Sequence, residues 1–336
     1  MSARVSVVIL NFNTARLLEQ FLPKVLQTDY PDLEVVVADN ASSDDSVTLC
    51  KEMFPQVRLI ELKENLGYAG GYNYVLNQVT ADYYVLLNSD VEVPENWLKP
   101  LVDAAERDSG IAAVQPVILD YYKKTHFEYA GAAGGWIDRY GYPFCRGRVF
   151  HVLEEQQEQY ATDANIFWAS GAAMFIRAQD FHAAGGFDPH FFAHMEEIDL
   201  CWRLQLAGKR IVHCPGSSVY HMGGGTLSHQ SAHKTYLNFR NGLLLLEKNL
   251  PEAQRSGIIL RRLLLDGIAA IKFFVSGKLP HARAIWKAHR YFHKNRQLFR
   301  PQHTIEVQPL AGYYKGSIVW DFYARGRRRF SDIVKS

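Results

Sequence analysis

The sequence predicts an α/β fold in which a mostly parallel central sheet is flanked by helices. Apolar runs rich in β-branched residues recur along the first quarter of the chain, and segments with apolar residues at helical spacing separate them. This alternation is typical of repeated β–α units, which build parallel sheets with helices on both faces. Polar side chains follow directly after three of the runs, where sheets of this kind bind their ligands.

The apolar runs predict four strands, at residues 5–10, 33–38, 57–62 and 83–87. A helix with apolar residues at helical spacing follows the first strand, and Thr14 is its predicted N-cap. The second helix is expected to be capped by Ser42 or Ser43 and to end before Pro55. A third helix is predicted over residues 70–78, after a glycine-rich entry.

The second half of the chain is less regular. Residues 120–169 are rich in Tyr, Gly and Trp, and we expect a long insertion there that could wall a cleft. A regular pattern returns over 171–177 and is followed by a turn at Gly185-Gly186 and by predicted helices over 196–207, 233–249, 255–275 and 282–299. The last two helices are basic and amphipathic. We therefore expect a body over residues 1–250 and a basic helical extension over residues 251–336.

Charge is distributed unevenly along the chain, although the net charge is only +2. Residues 1–252 carry 20 basic and 31 acidic side chains, whereas residues 253–336 carry 17 basic and 4 acidic ones. A basic tail can meet an anionic membrane surface or a nucleic acid, or it can simply balance an acidic body. Asp266 and Lys272 interrupt the apolar stretch of the tail, which fits an interfacial helix better than a membrane-spanning one.

The four cysteines form no close pair, which argues against a disulfide framework and favours a reducing compartment. The apolar stretch near the start is too short for a signal peptide. Together with the basic tail, these features predict a cytoplasmic protein that is attached peripherally to the cytoplasmic face of a membrane.

Polar groups at the predicted strand ends are candidate ligand-binding residues. Asp90 could bind Mg²⁺ or Mn²⁺ through oxygen, with Asn88 orienting it or contacting a ribose, although this segment taken alone is more typical of a turn. Asp39 could accept a hydrogen bond from a base or a ribose, or it could cap the following helix. Gly70 and Gly71 lie at a helix start, where backbone N–H groups favour anions.

Acidic residues and a histidine later in the chain are further candidates. Glu196, Glu197 and Asp199 crowd a predicted helix start, where the helix dipole stabilises negative charge. Asp199 is expected to pair with Arg203 four residues on, which leaves Glu196 or Glu197 as a base for a hydroxyl group. His221 precedes a glycine run and could reach a phosphate or a metal, although a hydrogen-bonded loop histidine is the more ordinary interpretation.

Taken together, these segments resemble the family-2 glycosyltransferases, which have the GT-A fold. The resemblance spans about residues 5–249 and is carried by residues 5–13, 38–44, 65–73, 86–90, 170–177, 185–188, 196–203 and His221. The turn at 185–188, the acidic segment that follows it and the pair Arg240-Asn241 are most similar to the rhamnosyltransferase-like branch.

The resemblance implies a donor-nucleotide site formed by Leu10, Asn11, Phe12, Asn13, Asp39, Gly70, Gly71, Asn73 and Asn88. It implies that Asp90 is the metal ligand of the family's Asp-any-Asp motif, whose first Asp is replaced here by Asn88. His221 would help to bind the metal or the diphosphate. Glu197, the second member of the acid pair with Glu196, would be the catalytic base.

The activity implied is inverting, Mg²⁺- or Mn²⁺-dependent transfer of a sugar from a nucleotide-diphosphate donor, dTDP-rhamnose or a UDP-sugar. The acceptor would be a hydroxyl of a glycan or lipid-linked molecule in cell-envelope polysaccharide synthesis. A catalytically silent nucleotide-sugar sensor would not need Glu196 and Glu197. A nucleic-acid-binding protein could use the basic residues at 325–329, but the body is acidic and contains no recognised binding module, so we expect no nucleic-acid partner.

Overall fold

A computed structural model describes residues 2–223, 231–301 and 304–334 of the chain. Within these ranges the chain forms a nine-stranded sheet, a five-stranded sheet and eleven α-helices. The predicted α/β class and the helical character of the C-terminal part are confirmed.

The strands are β1 (Val5–Asn11), β2 (Leu33–Asp39), β3 (Arg58–Glu61), β4 (Tyr83–Leu87), β5 (Val91–Glu92), β6 (Ile111–Asp120), β7 (Gly135–Asp138), β8 (Pro143–Cys145), β9 (Arg148–Val149), β10 (Val152–Leu153), β11 (Ala164–Ile166), β12 (Ala173–Arg177), β13 (Arg210–His221) and β14 (Tyr313–Tyr314). The α-helices are α1 (Ala15–Leu26), α2 (Ser46–Met53), α3 (Gly67–Leu76), α4 (Leu98–Glu106), α5 (Ala178–Ala183), α6 (Glu196–Leu206), α7 (Ala232–Asn249), α8 (Glu252–Val275), α9 (Leu279–Asn295), α10 (Ile318–Tyr323) and α11 (Phe330–Ile333). Two short 3₁₀ helices cover Pro189–Phe191 and Arg296–Phe299.

The large sheet has the order β11-β13-β6-β12-β4-β1-β2-β3, and β5 pairs with β13. Strands β4, β1, β2 and β3 are parallel neighbours, as predicted for the first four strands. Strand β12 runs antiparallel between β4 and β6, so the sheet as a whole is mixed. Asn11 at the end of β1 lies opposite Asp39 at the end of β2, so two of the predicted polar strand ends meet at one edge of the sheet.

Helix starts follow the predictions only in part. Thr14 occupies the N-cap position of α1, as predicted, but its side chain makes no capping hydrogen bond and instead contacts Asn11 and Ser89. Helix α2 begins after Asp45 and not at Ser42 or Ser43, because both serines instead bind the turn that follows β1. Helix α3 begins at Gly67, three residues earlier than predicted.

Two buried apolar layers enclose the large sheet, because side chains alternate along its strands. In β1, Val8 belongs to the layer that α3, α6 and α7 cover. Its neighbours Val7 and Ile9 belong to the opposite layer, beneath α1, α2 and α4. Helices on both faces leave the carboxyl edge of the sheet open for a ligand.

The insertion predicted at residues 120–169 folds into short strands rather than an irregular loop. Strands β7 to β10 form the five-stranded sheet together with β14 from the C-terminal part of the chain. Phe144 and Val149 of this sheet pack against Ile318 and Phe322 of α10 and Phe330 of α11. The C-terminal part therefore also completes a sheet, and the domain boundary at residue 250 stays a prediction.

Helices α8 and α9 pack against α7. The buried Arg262 of α8 donates to the carbonyl oxygen of Tyr140 at 2.8 Å and pairs with Asp266, which ties one face of α8 to the insertion. Among the helices that the structure describes, none combines the length and the apolar character needed to cross a membrane.

Candidate active site

A cavity of about 690 Å³ lies at the carboxyl edge of the large sheet. Leu10 and Phe12 line it at the end of β1, and residues 88–90 line it after β4. Glu196 and Glu197 line it at the start of α6, while the insertion and α7 supply further walls. The cavity has the size of an ordinary small-molecule site and unites three segments that the sequence predicted separately.

Asn11, Asp39 and Ser42 fix the turns beside the cavity. Asn11 Nδ2 donates to Asp39 Oδ1 at 2.8 Å, and the Ser42 backbone N–H donates to Asp39 Oδ2 at 2.9 Å. The Ser42 hydroxyl accepts from the backbone N–H of Asn13, whose φ of 55° lies in the left-handed region. Asp39 is only 3% exposed, and its two hydrogen bonds order both turns. Its contact with a base stays a prediction.

Helix α3 contributes packing, and Gly70, Gly71 and Asn73 are not among the described residues that line the cavity. A Cβ on Gly71 would lie 2.8 Å from the side chain of Leu10, so glycine permits the close approach of α3 to β1. Asn73 donates to the Phe187 carbonyl at 2.7 Å and accepts from the Phe187 N–H at 2.9 Å. The structure thus gives Gly71 and Asn73 packing roles, and the donor contacts predicted for Gly70, Gly71 and Asn73 stay predictions.

Asp90 and His221 meet because the two-residue strand β5 pairs with the end of β13. Val91 lies opposite His221, and the Met222 N–H donates to the Asp90 carbonyl at 3.0 Å. Asp90 Oδ1 lies 3.1 Å from His221 Nε2, and Glu128 Oε2 lies 2.9 Å from Nδ1 of the same ring. The imidazole therefore stands between two buried carboxylates.

The protonation of these three groups is linked. Burial lowers the pKa of His221, but the hydrogen bonds and charges of Asp90 and Glu128 outweigh burial and raise this pKa to about 10. Burial also raises the pKa of Glu128, but the hydrogen bond and charge of His221 outweigh it and hold that pKa below its ordinary value. Two carboxylates and one imidazolium leave a net negative charge beside the cavity.

Asp90 and His221 have the chemistry to hold a divalent cation. A carboxylate oxygen and an imidazole nitrogen face each other, and Glu128 is placed to accept the other N–H of the ring, as carboxylates do for metal-bound histidines. The described residues provide no third acidic, His or Cys ligand at this point, so diphosphate oxygens and water would complete the coordination. Gly224 and Gly225, which continue the glycine run after His221, lie outside the described residues.

Glu196 and Glu197 line the same cavity as Asp90, at the start of α6. The Oε2 atom of each is buried and has no hydrogen-bond partner among the described residues. Burial raises the pKa of Glu197 to about 7. Burial, together with the charge of Glu197, raises the pKa of Glu196 well above its ordinary value. Near neutral pH, Glu197 is thus the member of the pair that ionises, and it is the better candidate base.

The loop before α6 has a strained backbone. Phe192, His194 and Met195 have φ values of 63°, 70° and 75°, which residues other than glycine rarely adopt. Asn241 of α7 lies beneath this loop, and its Nδ2 is 2.7 to 2.9 Å from three carbonyl oxygens of residues 191–194. Asn241 therefore holds the strained loop in the one shape that sets the start of α6.

Asp199 has the structural role that its spacing predicted. Its carboxylate accepts from Arg203 Nε at 2.8 Å, from Lys248 Nζ at 3.0 Å and from Asn249 Nδ2 at 2.9 Å. The pairing with Arg203 is confirmed, and the contacts to α7 hold α6 in place.

Sequence reasoning missed the cavity residues that come from the insertion and from α7. They include Glu128, Tyr129, Arg148, Trp168 and Lys234. Each stands singly in a segment without a repeated pattern, so no local signal marks it. Arg240 and Asn241 were noticed only through the resemblance, and their hydrogen bonds to the loop before α6 were not predicted.

Solved structures of nucleotide-sugar transferases share this fold. The chain superposes on GalNAc-T7 with UDP, GalNAc and Mn²⁺ with a TM-score of 0.57 and 19% identity, covering 73% of this chain and 48% of that one. It superposes on residues 1–349 of Staphylococcus aureus TarS in complex with UDP-GlcNAc with a TM-score of 0.56 and 14% identity, covering 88% and 84%. The GT-A fold is therefore confirmed.

The sequence defines the family. The model of glycosyl transferase family 2 matches residues 6–182, more than half of the chain, and the chain therefore belongs to this family. The chain is 29% identical over 254 residues to the N-acetylglucosaminyl-diphospho-decaprenol L-rhamnosyltransferase of Mycobacterium tuberculosis, covering 69% of this chain and 82% of the relative. It is 25% identical over 215 residues to the rhamnosyltransferase WbbL of Escherichia coli K12, covering 60% and 79%. The rhamnosyltransferase-like resemblance is confirmed.

Proposed function

We propose that this protein is a metal-dependent, inverting glycosyltransferase that moves a sugar from a nucleotide diphosphate to an acceptor hydroxyl. One observation carries the proposal: the Asp90–His221 pair and the Glu196–Glu197 pair line the same cavity. The first pair suits a diphosphate with its cation, and the second suits the removal of a proton. A nucleotide-sugar sensor would need only the first pair.

The donor nucleotide is proposed to lie over Leu10 and Phe12, with its diphosphate toward Asp90 and His221. A bound Mg²⁺ or Mn²⁺ would offset the charge of the diphosphate and stabilise the leaving nucleoside diphosphate. Asn88, whose Nδ2 is 3.4 Å from His221 Nε2, helps to orient the ring. Structural relatives that carry Mn²⁺ with a nucleotide or nucleotide sugar support this arrangement.

Glu197 is proposed to accept the proton of the acceptor hydroxyl. Its pKa of about 7 keeps a large fraction ionised at neutral pH while leaving the carboxylate basic enough to act. The oxygen then attacks the anomeric carbon from the face opposite the diphosphate, and the C–O bond to the diphosphate breaks. A single displacement of this kind inverts the configuration.

The donor is proposed to be dTDP-rhamnose or a UDP-sugar, and the acceptor a glycan or lipid-linked molecule of the cell envelope. The relatives named as rhamnosyltransferases support this choice, and one of them is named for a diphospho-decaprenol acceptor. A nucleic acid is a poorer partner, because Arg325 and Arg327 of the basic tail are already paired with Asp321.

Helix α8 supports peripheral attachment to an anionic membrane surface. Its outer face carries an apolar stripe at helical spacing, 60% to 79% exposed, formed by Leu260, Leu264, Ile268, Ile271 and Val275. Exposed Trp286 and Trp320 lie on α9 and α10, and the surrounding segment is strongly basic. An apolar stripe with basic neighbours matches the interface of an anionic bilayer. The buried free thiols of the four cysteines favour the cytoplasmic face.

A donor screen tests the proposed function. The purified chain is mixed with UDP- and dTDP-sugars and with N-acetylglucosaminyl-diphospho-polyprenol, and released nucleoside diphosphate is measured with Mn²⁺, with Mg²⁺ and with EDTA. We expect acceptor-dependent release for one donor, loss of release in EDTA, and a product with inverted anomeric configuration. Release that persists unchanged in EDTA, or a retained configuration, would contradict the proposal.

A further inference from the structure

A buried arginine of the insertion makes no close ion pair with a carboxylate of the described residues. Arg148 of β9 is 5% exposed and lines the cavity. Among the residues that the structure describes, it makes no salt bridge with an Asp or Glu. The charge of Glu128 favours the guanidinium, but this carboxylate lies 2.9 Å from His221 Nδ1 and is engaged there. Buried cations in proteins are ordinarily paired, so this one requires an explanation.

The contacts that Arg148 does make leave much of its hydrogen-bonding capacity unused. Nη1 donates to the Phe150 carbonyl at 3.4 Å, and Nη2 contacts Cys145 Sγ at 3.3 Å. Nε has no partner within the described residues, and the guanidinium lies 4.3 Å from the ring centroid of Tyr129. Burial raises the pKa of the Cys145 thiol, so the sulfur supplies no counter-charge. These contacts hold the guanidinium in place but leave several of its N–H donors without a hydrogen-bond acceptor among the described residues.

Other cations line the same cavity but are engaged differently. Arg262 is paired with Asp266 and contacts the ring of Tyr142, so its charge is already offset. Lys234 of α7 lines the cavity near Glu128 and adds a second positive charge to this wall. Arg148 therefore brings a positive charge and unused N–H donors to the wall that continues from Glu128 and His221.

We propose that Arg148 binds a phosphate group of a diphosphate in the cavity. A guanidinium presents a planar fork of N–H donors that matches two oxygens of a phosphate, and burial strengthens these charge-assisted hydrogen bonds. The inference rests on the proposed function, in which the donor carries a diphosphate and a lipid-linked acceptor can carry a second one. One belongs to the nucleotide donor and the other to a diphosphate-linked acceptor, and both present the same chemistry to Arg148.

Two variants and a matched control test this role. Arg148→Gln removes the charge and most of the donors, whereas Arg148→Lys keeps a point charge but loses the fork. Arg146→Gln is the control, because Arg146 is also buried between β8 and β9 but is not among the described residues that line the cavity, and its guanidinium lies over the ring of Tyr160. Thermal melting of all three variants verifies that each one folds.

Kinetics and calorimetry distinguish the two sources of the diphosphate. If Arg148 contacts the donor, Arg148→Gln weakens the binding of UDP or dTDP in Mn²⁺ by about tenfold to a hundredfold. If it contacts the acceptor, nucleotide binding is unchanged while KM rises by a similar factor for the diphosphate-linked acceptor and stays constant for a methyl glycoside. Arg148→Lys should show a smaller effect of the same kind. If Arg148→Gln and the control Arg146→Gln bind nucleotide equally well and have the same KM for the acceptor, the proposal is overturned.

A binding assay with inorganic pyrophosphate separates this inference from the proposed function. If no donor is turned over by the unaltered chain, the proposed function fails, but pyrophosphate can still be titrated into the folded protein. Binding that is lost in Arg148→Gln and kept in Arg146→Gln would then support the anion site on its own. Pyrophosphate binding that is equal in both variants would reject it.

Discussion

Glu196 and Glu197 are adjacent in the chain, and the negative charge of Glu197 helps to raise the pKa of Glu196. Both line the cavity that also contains Asp90, and each keeps one buried carboxylate oxygen without a partner among the described residues. Two like groups in one dry site cannot easily ionise together, so they divide into one base and one neutral acid.

Replacing the two glutamates separately should reveal this division. Glu197→Gln removes the proposed base, and we expect kcat to fall by about 10²- to 10⁴-fold while donor binding is kept. Glu196→Gln replaces a carboxyl whose pKa is raised by burial and by the charge of Glu197 with a neutral group of the same shape, so most of the activity should remain. Steady-state kinetics and calorimetric titration of the donor measure both effects. Near-normal turnover of Glu197→Gln would reject it as the base.

The pH dependence of catalysis follows from the same pair. A base acts only when it is ionised, so kcat/KM should rise with pH through about 7, where Glu197 titrates, and fall on the acid side. The acid limb should persist in Glu196→Gln, because this change leaves the proposed base in place. A pH profile of kcat/KM for the unaltered chain and for this variant provides the measurement. A limb near pH 4 would mean that the base is an ordinary exposed carboxylate.

The strand ends could be predicted from the sequence, whereas the contacts between them could not. Apolar runs followed by Asn11, Asp39 and Asp90 indicate where parallel strands stop, because buried strands must be apolar and their ends need not be. Asp90 meets His221 because β5 pairs with β13. Strand β5 is only two residues long, so it leaves no periodic signal in the sequence.

The roles of residues in the insertion and in the loop before α6 were still harder to predict from the sequence. Glu128 and Arg148 come from short strands with no long alternation, and their roles arise from the shape of the cavity. The left-handed conformation of His194 and Met195 contradicts their local preference and is imposed by Asn241 from a helix nearly fifty residues away. Local propensity cannot anticipate a conformation that tertiary contacts enforce.

The affinity for the metal should fall when Asp90 or His221 is changed. Asp90→Asn keeps the shape of the side chain but removes its charge, and His221→Ala removes the second ligand. We expect either variant to need about tenfold or more Mn²⁺ for half-maximal activity, because each change removes one of the two side-chain ligands that the described residues offer. Calorimetry of Mn²⁺ binding with UDP present gives an independent measure. Asp103→Asn, which changes an exposed carboxylate of α4, is the control and should leave the Mn²⁺ requirement unaltered.

Asn241 is predicted to stabilise the loop that positions the two glutamates. Asn241→Ala removes the side chain that faces three carbonyl oxygens, and we expect it to lower the free energy of unfolding by roughly 2–4 kcal/mol. If the protein still folds, kcat should fall more than donor affinity, because the start of α6 loses its support. Denaturant unfolding and kinetics check both effects. Asn295→Ala, which removes a hydrogen bond within α9 alone, should change neither kcat nor donor affinity.

The apolar stripe of α8 predicts how the protein attaches to membranes. Truncation after residue 250 is a poor test, because β14 and α10 complete the packing of the small sheet. Ile268→Asp and Ile271→Asp change only exposed side chains, and each should weaken binding to vesicles with anionic lipid by about tenfold or more, since it removes an insertable side chain and adds a negative charge. Met53→Asp on α2 is the matched control, because Met53 is 60% exposed but lies on another helix. Vesicle flotation at low and high salt measures binding. If the stripe variants float as well as Met53→Asp does, α8 does not face the bilayer, and its exposed residues must be covered by something else.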